Sequence, residues 1–192
     1  MLSRKYKSSF GNLVRPLSLR LHRHGVTATH LTVAGLFFSA AAAVAYSKGR
    51  FVIAGILLLL AGAGDALDGT VARSSGEVTP FGSFLDSVVD RYSELLVFGG
   101  LVFYYCSDKS VLLLVLLSLA GSLMVSYTRA KAESADGQCE VGIMERPERI
   151  ILLIVASLFG FMVPALWILA ILTNLTALHR IYHTWNALQA PR

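Results

Sequence analysis

A chain of 192 residues that is 55% hydrophobic and only 15% charged, with a mean hydropathy of +0.62, falls outside the soluble globular range and leaves no room for a large soluble domain. Its net charge of +5 is read as basic residues gathered at membrane boundaries, and no nucleic-acid partner is expected. The two cysteines, Cys106 and Cys139, are too few for a disulfide framework and are expected as free thiols.

In chain order, Phe10, Leu13, Val14, Leu17 and Leu21 recur at helical spacing, with Arg15, Arg20 and Arg23 largely elsewhere on the surface. Residues 1–28 are therefore expected as an amphipathic interfacial helix, or as a cytosolic cap packed on the membrane domain. Residues 1–24 are rich in arginine and histidine and lack the short apolar core and cleavage site of a signal peptide.

Residues 29–192 are expected as an all-α membrane domain of six transmembrane helices, near 29–47, 50–73, 82–105, 110–132, 147–162 and 164–186. Each suits a hydrocarbon core about 30 Å thick. Short turns at Ser47–Gly49 and Ser107–Ser110 fit tight hairpins, and the last two segments divide between Gly160 and Pro164. Of the 17 Lys and Arg residues, all but Lys48, Arg50 and Lys109 then fall on one face. That bias predicts a multi-pass protein of the cytoplasmic membrane with both termini inside and the two cysteines on opposite faces.

The polar island between the second and third segments carries the chemistry. Asp65 and Asp68 are three apart, and Asp86 and Asp90 four apart, so each pair shares one helix face. Ser74–Gly76 and Pro80 turn the chain back and bring the faces together. Aspartate at the centre of a spanning helix costs about 2.5–3.5 kcal/mol on insertion scales, so four imply compensation. Clustered hard oxygen ligands suit Mg²⁺, Mn²⁺ or Ca²⁺, with enough carboxylates for two ions. Gly69, Ala72 and Gly82 leave the backbone open to a bulky ligand, and Arg73 offers a planar fork to phosphate. Together they describe a diphosphate site.

Read in order, Asp65-x2-Asp68-Gly69-x2-Ala72-Arg73-x8-Gly82-x3-Asp86-x3-Asp90 resembles, without gap or substitution, the motif of the CDP-alcohol phosphotransferase family, integral membrane enzymes of phospholipid synthesis. The resemblance implies six spanning helices after an interfacial helix, a homodimer, and transfer of a phosphatidyl group from a CDP-linked lipid such as CDP-diacylglycerol to an alcohol, with release of CMP. It further implies that Asp65, Asp68 and Asp86 hold metal, Mg²⁺ or Mn²⁺ and two ions in all. Asp90 would share a metal and act as catalytic base, while Asp68, Gly69, Ala72, Arg73 and Gly82 would surround the CDP moiety. One departure concerns the Pro-Asn pair that many members carry at the start of the first span. Here the place reads Thr27-Ala28-Thr29-His30, with Thr29 as a candidate cap.

Two further stretches bear on the acceptor. Ser126-Tyr127-Thr128-Arg129-Ala130-Lys131-Ala132-Glu133 precedes a polar loop, and Glu145-Arg146-Pro147-Glu148-Arg149 follows it. Pro147 suits a first helical turn, and Arg180 and His183 lie three apart near the C-terminus. The arginines are either positive-inside anchors snorkelling to headgroups or ligands for a second phosphate carried by the acceptor. These runs are similar to the phosphatidylinositol-phosphate synthase branch of the family. That similarity implies a phosphorylated polyol acceptor, inositol phosphate, bound by Ser126, Arg129, Arg146, Arg149 and Arg180. Glycerol 3-phosphate and free inositol are the enzymatic alternatives. A divalent-cation transporter is the alternative of another class, but it requires carboxylates near the midplane and a polar track to both faces.

Overall fold

Thr27 opens the first helix. Its Oγ1 accepts the His30 N–H at 3.4 Å, and its own N–H donates to His30 Nδ1 at 3.3 Å, which starts α1 (Ala28–Ser47). The cap falls on Thr27 and not on Thr29, because His30 stands at the position that can return the bond. Gly49, at φ +69°, donates its N–H to the Tyr46 carbonyl at 2.9 Å and presents a bare Cα to the Tyr104 ring. A side chain there would be strained and crowded, so the first hairpin is as tight as the sequence predicts.

The rest of the chain forms α2 (Phe51–Ser75), α3 (Pro80–Tyr104), α4 (Lys109–Ser134), α5 (Arg146–Phe159) and α6 (Met162–Gln189), with no strand among the described residues. This computed structural model describes residues 27–75, 79–135, 139 and 141–189, excluding the side chains of 68–75. Apart from Thr27 and Ala28, the expected interfacial helix over 1–28 lies outside the described residues.

Three of the remaining starts, those of α3, α4 and α5, have a local cause. Thr79 Oγ1 accepts the Gly82 N–H at 3.0 Å, and Pro80 follows at the position where a missing N–H costs nothing. Asp108 Oδ1 accepts from the N–H groups of Ser110 and Val111, each at 3.1 Å. Pro147 lies in the first turn of α5, which ends on left-handed Gly160 at φ +78°.

Helix α1 packs on α2 and α3, α2 also packs on α5, and α4 packs on α6. Small residues let these contacts close. Gly100 meets the backbone of Ala43 on α1, and Gly121 meets Thr173 and Asn174 on α6, so both serve packing within the chain. Gly100→Val is therefore expected to cost about 1–3 kcal/mol by overpacking, read as a lowered unfolding temperature of the purified protein.

Helices α1, α4 and α6 are long and apolar enough to cross a membrane, with mean hydropathies of 1.6, 2.1 and 1.6. Phe37, Phe103 and Phe159 are each more than 70% exposed, an outward-facing apolar surface suited to lipid. Six such helices were expected, and three among the described residues meet the criterion of length and apolarity. Helix α2 contributes the shorter apolar stretch Phe51–Leu67. Helix α3 is interrupted by Asp86, Asp90, Arg91 and Glu94. The 14 residues of α5 reach only about 21 Å at 1.5 Å per residue, short of a core about 30 Å thick. The helices that fall short are those that build the site.

No Cα of α3 lies within 8 Å of a Cα of α5. The space between them, walled by α1 and α2, is a cavity with Asp65, Asp86, Asp90, Glu94, Arg146 and Arg149 among its polar lining. Leu58, Val97 and Leu153 make part of its apolar wall.

Candidate metal and phosphate site

The four-residue step along α3 puts Asp86 and Asp90 on one face, and α2 brings Asp65 to meet them. One carboxylate oxygen from each of the three lies within 4.8 Å of the others. Asp86 Oδ1 is buried and has no hydrogen-bond partner, an orphaned acceptor that would be costly without a cation. A compact, partly buried all-oxygen donor set of this kind fits a hard divalent ion. Asp68, Gly69, Ala72 and Arg73 continue α2, and their side chains lie outside the described residues.

Arginines surround the carboxylates. Arg146, at the start of α5, places Nη1 2.7 Å from Asp65 Oδ2 and Nη2 2.6 Å from Asp90 Oδ1, so one guanidinium joins α5 to both acid-bearing helices. Arg91 Nη2 stands 3.6 Å from the other Asp90 oxygen. Asp90 is thus held between two cations, which fixes its orientation.

The other candidates fall into separate places. Arg149 is fully buried and pairs through Nε and Nη2 with Glu94 Oε1, while its Nη1 donates to the Met144 carbonyl at 3.1 Å. Arg180 is also fully buried. Its Nε donates to the Val141 carbonyl at 2.7 Å and its Nη1 to the Val125 carbonyl at 2.5 Å. Its Nη2 is left without a hydrogen bond, 3.6 Å from Glu145 Oε1. Arg129 is exposed, 2.9 Å from Glu133 and 3.9 Å from Glu145. Arg129 and Arg180 therefore meet at Glu145, whereas Arg146 belongs with the aspartates. Ser126 Oγ donates to the Ser122 carbonyl within its own helix, and Gly82 serves the α3 cap. Cys106 and Cys139 are free thiols, as expected.

A pure anchor would carry its charge out to the headgroups, and the burial of Arg149 and Arg180 is the opposite of snorkelling. Glu94 and Arg91 stand outside the set read from the sequence. Glu94 repeats the step from Asp86 to Asp90, so its placement on that face was legible, but its pairing with Arg149, 55 residues away, was not.

Apolar helices around a carboxylate cluster and buried arginines define an all-helical membrane enzyme of the kind that uses a divalent metal on phosphate esters. The chain belongs to the CDP-alcohol phosphatidyltransferase family, whose family model matches residues 25–182. It is 38% identical over 173 residues to an archaetidylinositol phosphate synthase of Methanothermobacter thermautotrophicus, covering 87% of each chain. It is similar in structure to phosphatidylinositol phosphate synthase of Mycobacterium tuberculosis with CDP-DAG bound, at a TM-score of 0.82 and 29% identity over 91% of this chain and 94% of that one. The same enzyme in complex with manganese and citrate gives a TM-score of 0.82 at 30% identity, covering 90% and 88%.

Proposed function

We propose that this protein transfers a phosphatidyl group from CDP-diacylglycerol to a hydroxyl of inositol phosphate, forming a phosphatidylinositol phosphate and CMP. The observation that carries this reading is the cavity shared by Asp65, Asp86 and Asp90 with Arg146 and Arg149. A phosphorylated acceptor supplies an anion for this cationic cluster, which an acceptor without phosphate does not. The relatives named for inositol phosphate chemistry support the same choice.

In this reading Asp65, Asp68, Asp86 and Asp90 hold two divalent ions, Mg²⁺ or Mn²⁺, a choice supported by the manganese complex of the mycobacterial enzyme. When bound, the metal neutralises the diphosphate and stabilises charge on the departing phosphate. Asp68, Gly69, Ala72, Arg73 and Gly82 contact the CDP moiety. The acceptor oxygen attacks the lipid-linked phosphorus, the bond from that phosphorus to CMP breaks, and Asp90 takes the hydroxyl proton. Ser126, Arg129, Arg146, Arg149 and Arg180 bind the acceptor's phosphate and ring; Nη2 of Arg180, which makes no hydrogen bond and lies 3.6 Å from Glu145 Oε1, has protons left to donate for that purpose.

The protein is further proposed to work as a homodimer in the cytoplasmic membrane. Six helices over 29–192 cross the bilayer after an interfacial segment over 1–28, with termini and site facing the cytoplasm. The distribution of basic residues supports this orientation.

The test is CMP release by purified protein in bilayers containing CDP-diacylglycerol and Mg²⁺, with inositol phosphate, glycerol 3-phosphate or inositol supplied in turn. Inositol phosphate is expected to give the highest kcat/KM; a higher value with either rival would overturn the acceptor assignment. Arg180→Ala is expected to raise the KM for inositol phosphate about tenfold or more, the scale of a lost charge-assisted hydrogen bond, while leaving that for CDP-diacylglycerol little changed.

A further inference from the structure

Glu94 has no place in the signature motif, yet among the described residues it is the one carboxylate that pairs with Arg149. Both side chains are buried, Glu94 at 7% and Arg149 at 1% exposure. A buried ion pair adds little net stability, because desolvation offsets most of the attraction. Its location suggests what it does instead. Helices α3 and α5 do not touch through their backbones, and the Glu94–Arg149 pair spans the cavity between them.

The remaining Glu94 oxygen, Oε2, lies 3.6 Å from Arg91 Nε, and Arg91 Nη2 lies 3.6 Å from Asp90 Oδ2. The chain of charges therefore runs from Arg149 through Glu94 and Arg91 to Asp90. One turn before Arg149, Arg146 makes the other crossing, to Asp90 and Asp65.

We propose that Glu94 is a positioning residue. It acts as a cross-brace that sets the separation of α3 from α5, and with it the distance between Asp90 and the arginines that receive the acceptor's phosphate. The catalytic consequence rests on the function proposed above; the brace itself does not. Glutamine at 94 keeps the shape but loses the charge that holds Arg149, so the acceptor side loosens while the nucleotide side is retained.

The brace is tested by pulsed electron spin resonance between spin labels at Tyr92→Cys on α3 and Glu148→Cys on α5, both exposed positions, in a Cys106→Ser/Cys139→Ser background. Glu94→Gln is expected to broaden the distance distribution and to raise the KM for inositol phosphate about tenfold, with that for CDP-diacylglycerol within about twofold. A general loss of stability would instead lower the apparent kcat by removing active enzyme and leave both KM values unchanged. An unchanged distance distribution overturns the proposal, as do equal rises in both KM values. Should Glu94→Gln fail to fold, Glu94→Leu/Arg149→Leu replaces the pair with apolar groups and carries the distance measurement; an unaltered distribution there overturns the brace. Absence of turnover by the parent protein with inositol phosphate would count against the proposed function alone, because the distance measurement needs no substrate.

Discussion

Asp90→Asn is expected to reduce CMP release by about 10³-fold, the midrange of what a positioned general base contributes, while CDP-lipid binding persists. Asparagine preserves the size of the side chain but cannot take a proton from the acceptor hydroxyl. The position is suited to the task because both oxygens are oriented, one by Arg146 at 2.6 Å and the other by Arg91 at 3.6 Å. In the proposed site Asp65, Asp68 and Asp86 would still hold metal, which separates this variant from loss of the ion. Rate measurements at saturating substrates, with CDP-lipid binding followed in parallel, check the result. Near-normal turnover would remove Asp90 from the role of base.

Arg146→Gln is expected to have three linked effects. Its guanidinium pairs with one oxygen each of Asp65 and Asp90, at 2.7 and 2.6 Å, so both carboxylates lose their nearest counter-charge when it is removed and Asp90 keeps only the more distant Arg91. Protein kept in chelator should then lose stability, by roughly 2 kcal/mol given that the pair is only partly buried. Divalent ions, no longer competing with a cation for the same oxygens, should bind about fivefold to tenfold more tightly. The KM for inositol phosphate should rise, because the same arginine is proposed to bind the acceptor. Unfolding temperatures with and without Mn²⁺, together with Mn²⁺ affinity, distinguish this account from an anchor role. A headgroup anchor would leave both unchanged.

The contrast between α3 and α5 shows what was legible in the sequence. Helix boundaries followed from local chemistry: α5 begins beside Pro147 and ends at Gly160, inside the stretch read as its boundary with the next helix, and the Asp108 cap of α4 lies within the turn read at Ser107–Ser110. The convergence of Asp65 with Asp86 and Asp90 was likewise accessible, because spacing fixes the helix face and the intervening turn brings the faces together. Spanning length was less so. The charges that interrupt α3 and the brevity of α5 serve the cavity, and hydropathy alone treats them as part of an apolar run. Glycine roles also needed the fold, since Gly100 and Gly121 close contacts within one chain whereas Gly99 faces open space.

The arginines were the least legible. Their number and grouping pointed to phosphate or to lipid headgroups, and composition does not separate the two. Burial does, for Arg149 and Arg180, because a snorkelling side chain cannot be almost wholly removed from solvent. What sequence spacing could not supply was the sorting of Arg146 to the aspartates, Arg149 to Glu94, and Arg180 with Arg129 to Glu145. Those pairings depend on how α5 and α6 pack, which is a property of the whole bundle.

The central claim is that acids from α2 and α3 jointly hold a divalent ion for a nucleotide-bearing lipid. Mn²⁺ titration of the purified protein, followed by electron paramagnetic resonance with CDP-diacylglycerol present, tests it most directly. Saturable binding that is lost in both Asp65→Asn and Asp86→Asn is the expected result. Binding of the same strength in either variant, or none in the parent protein, would contradict it.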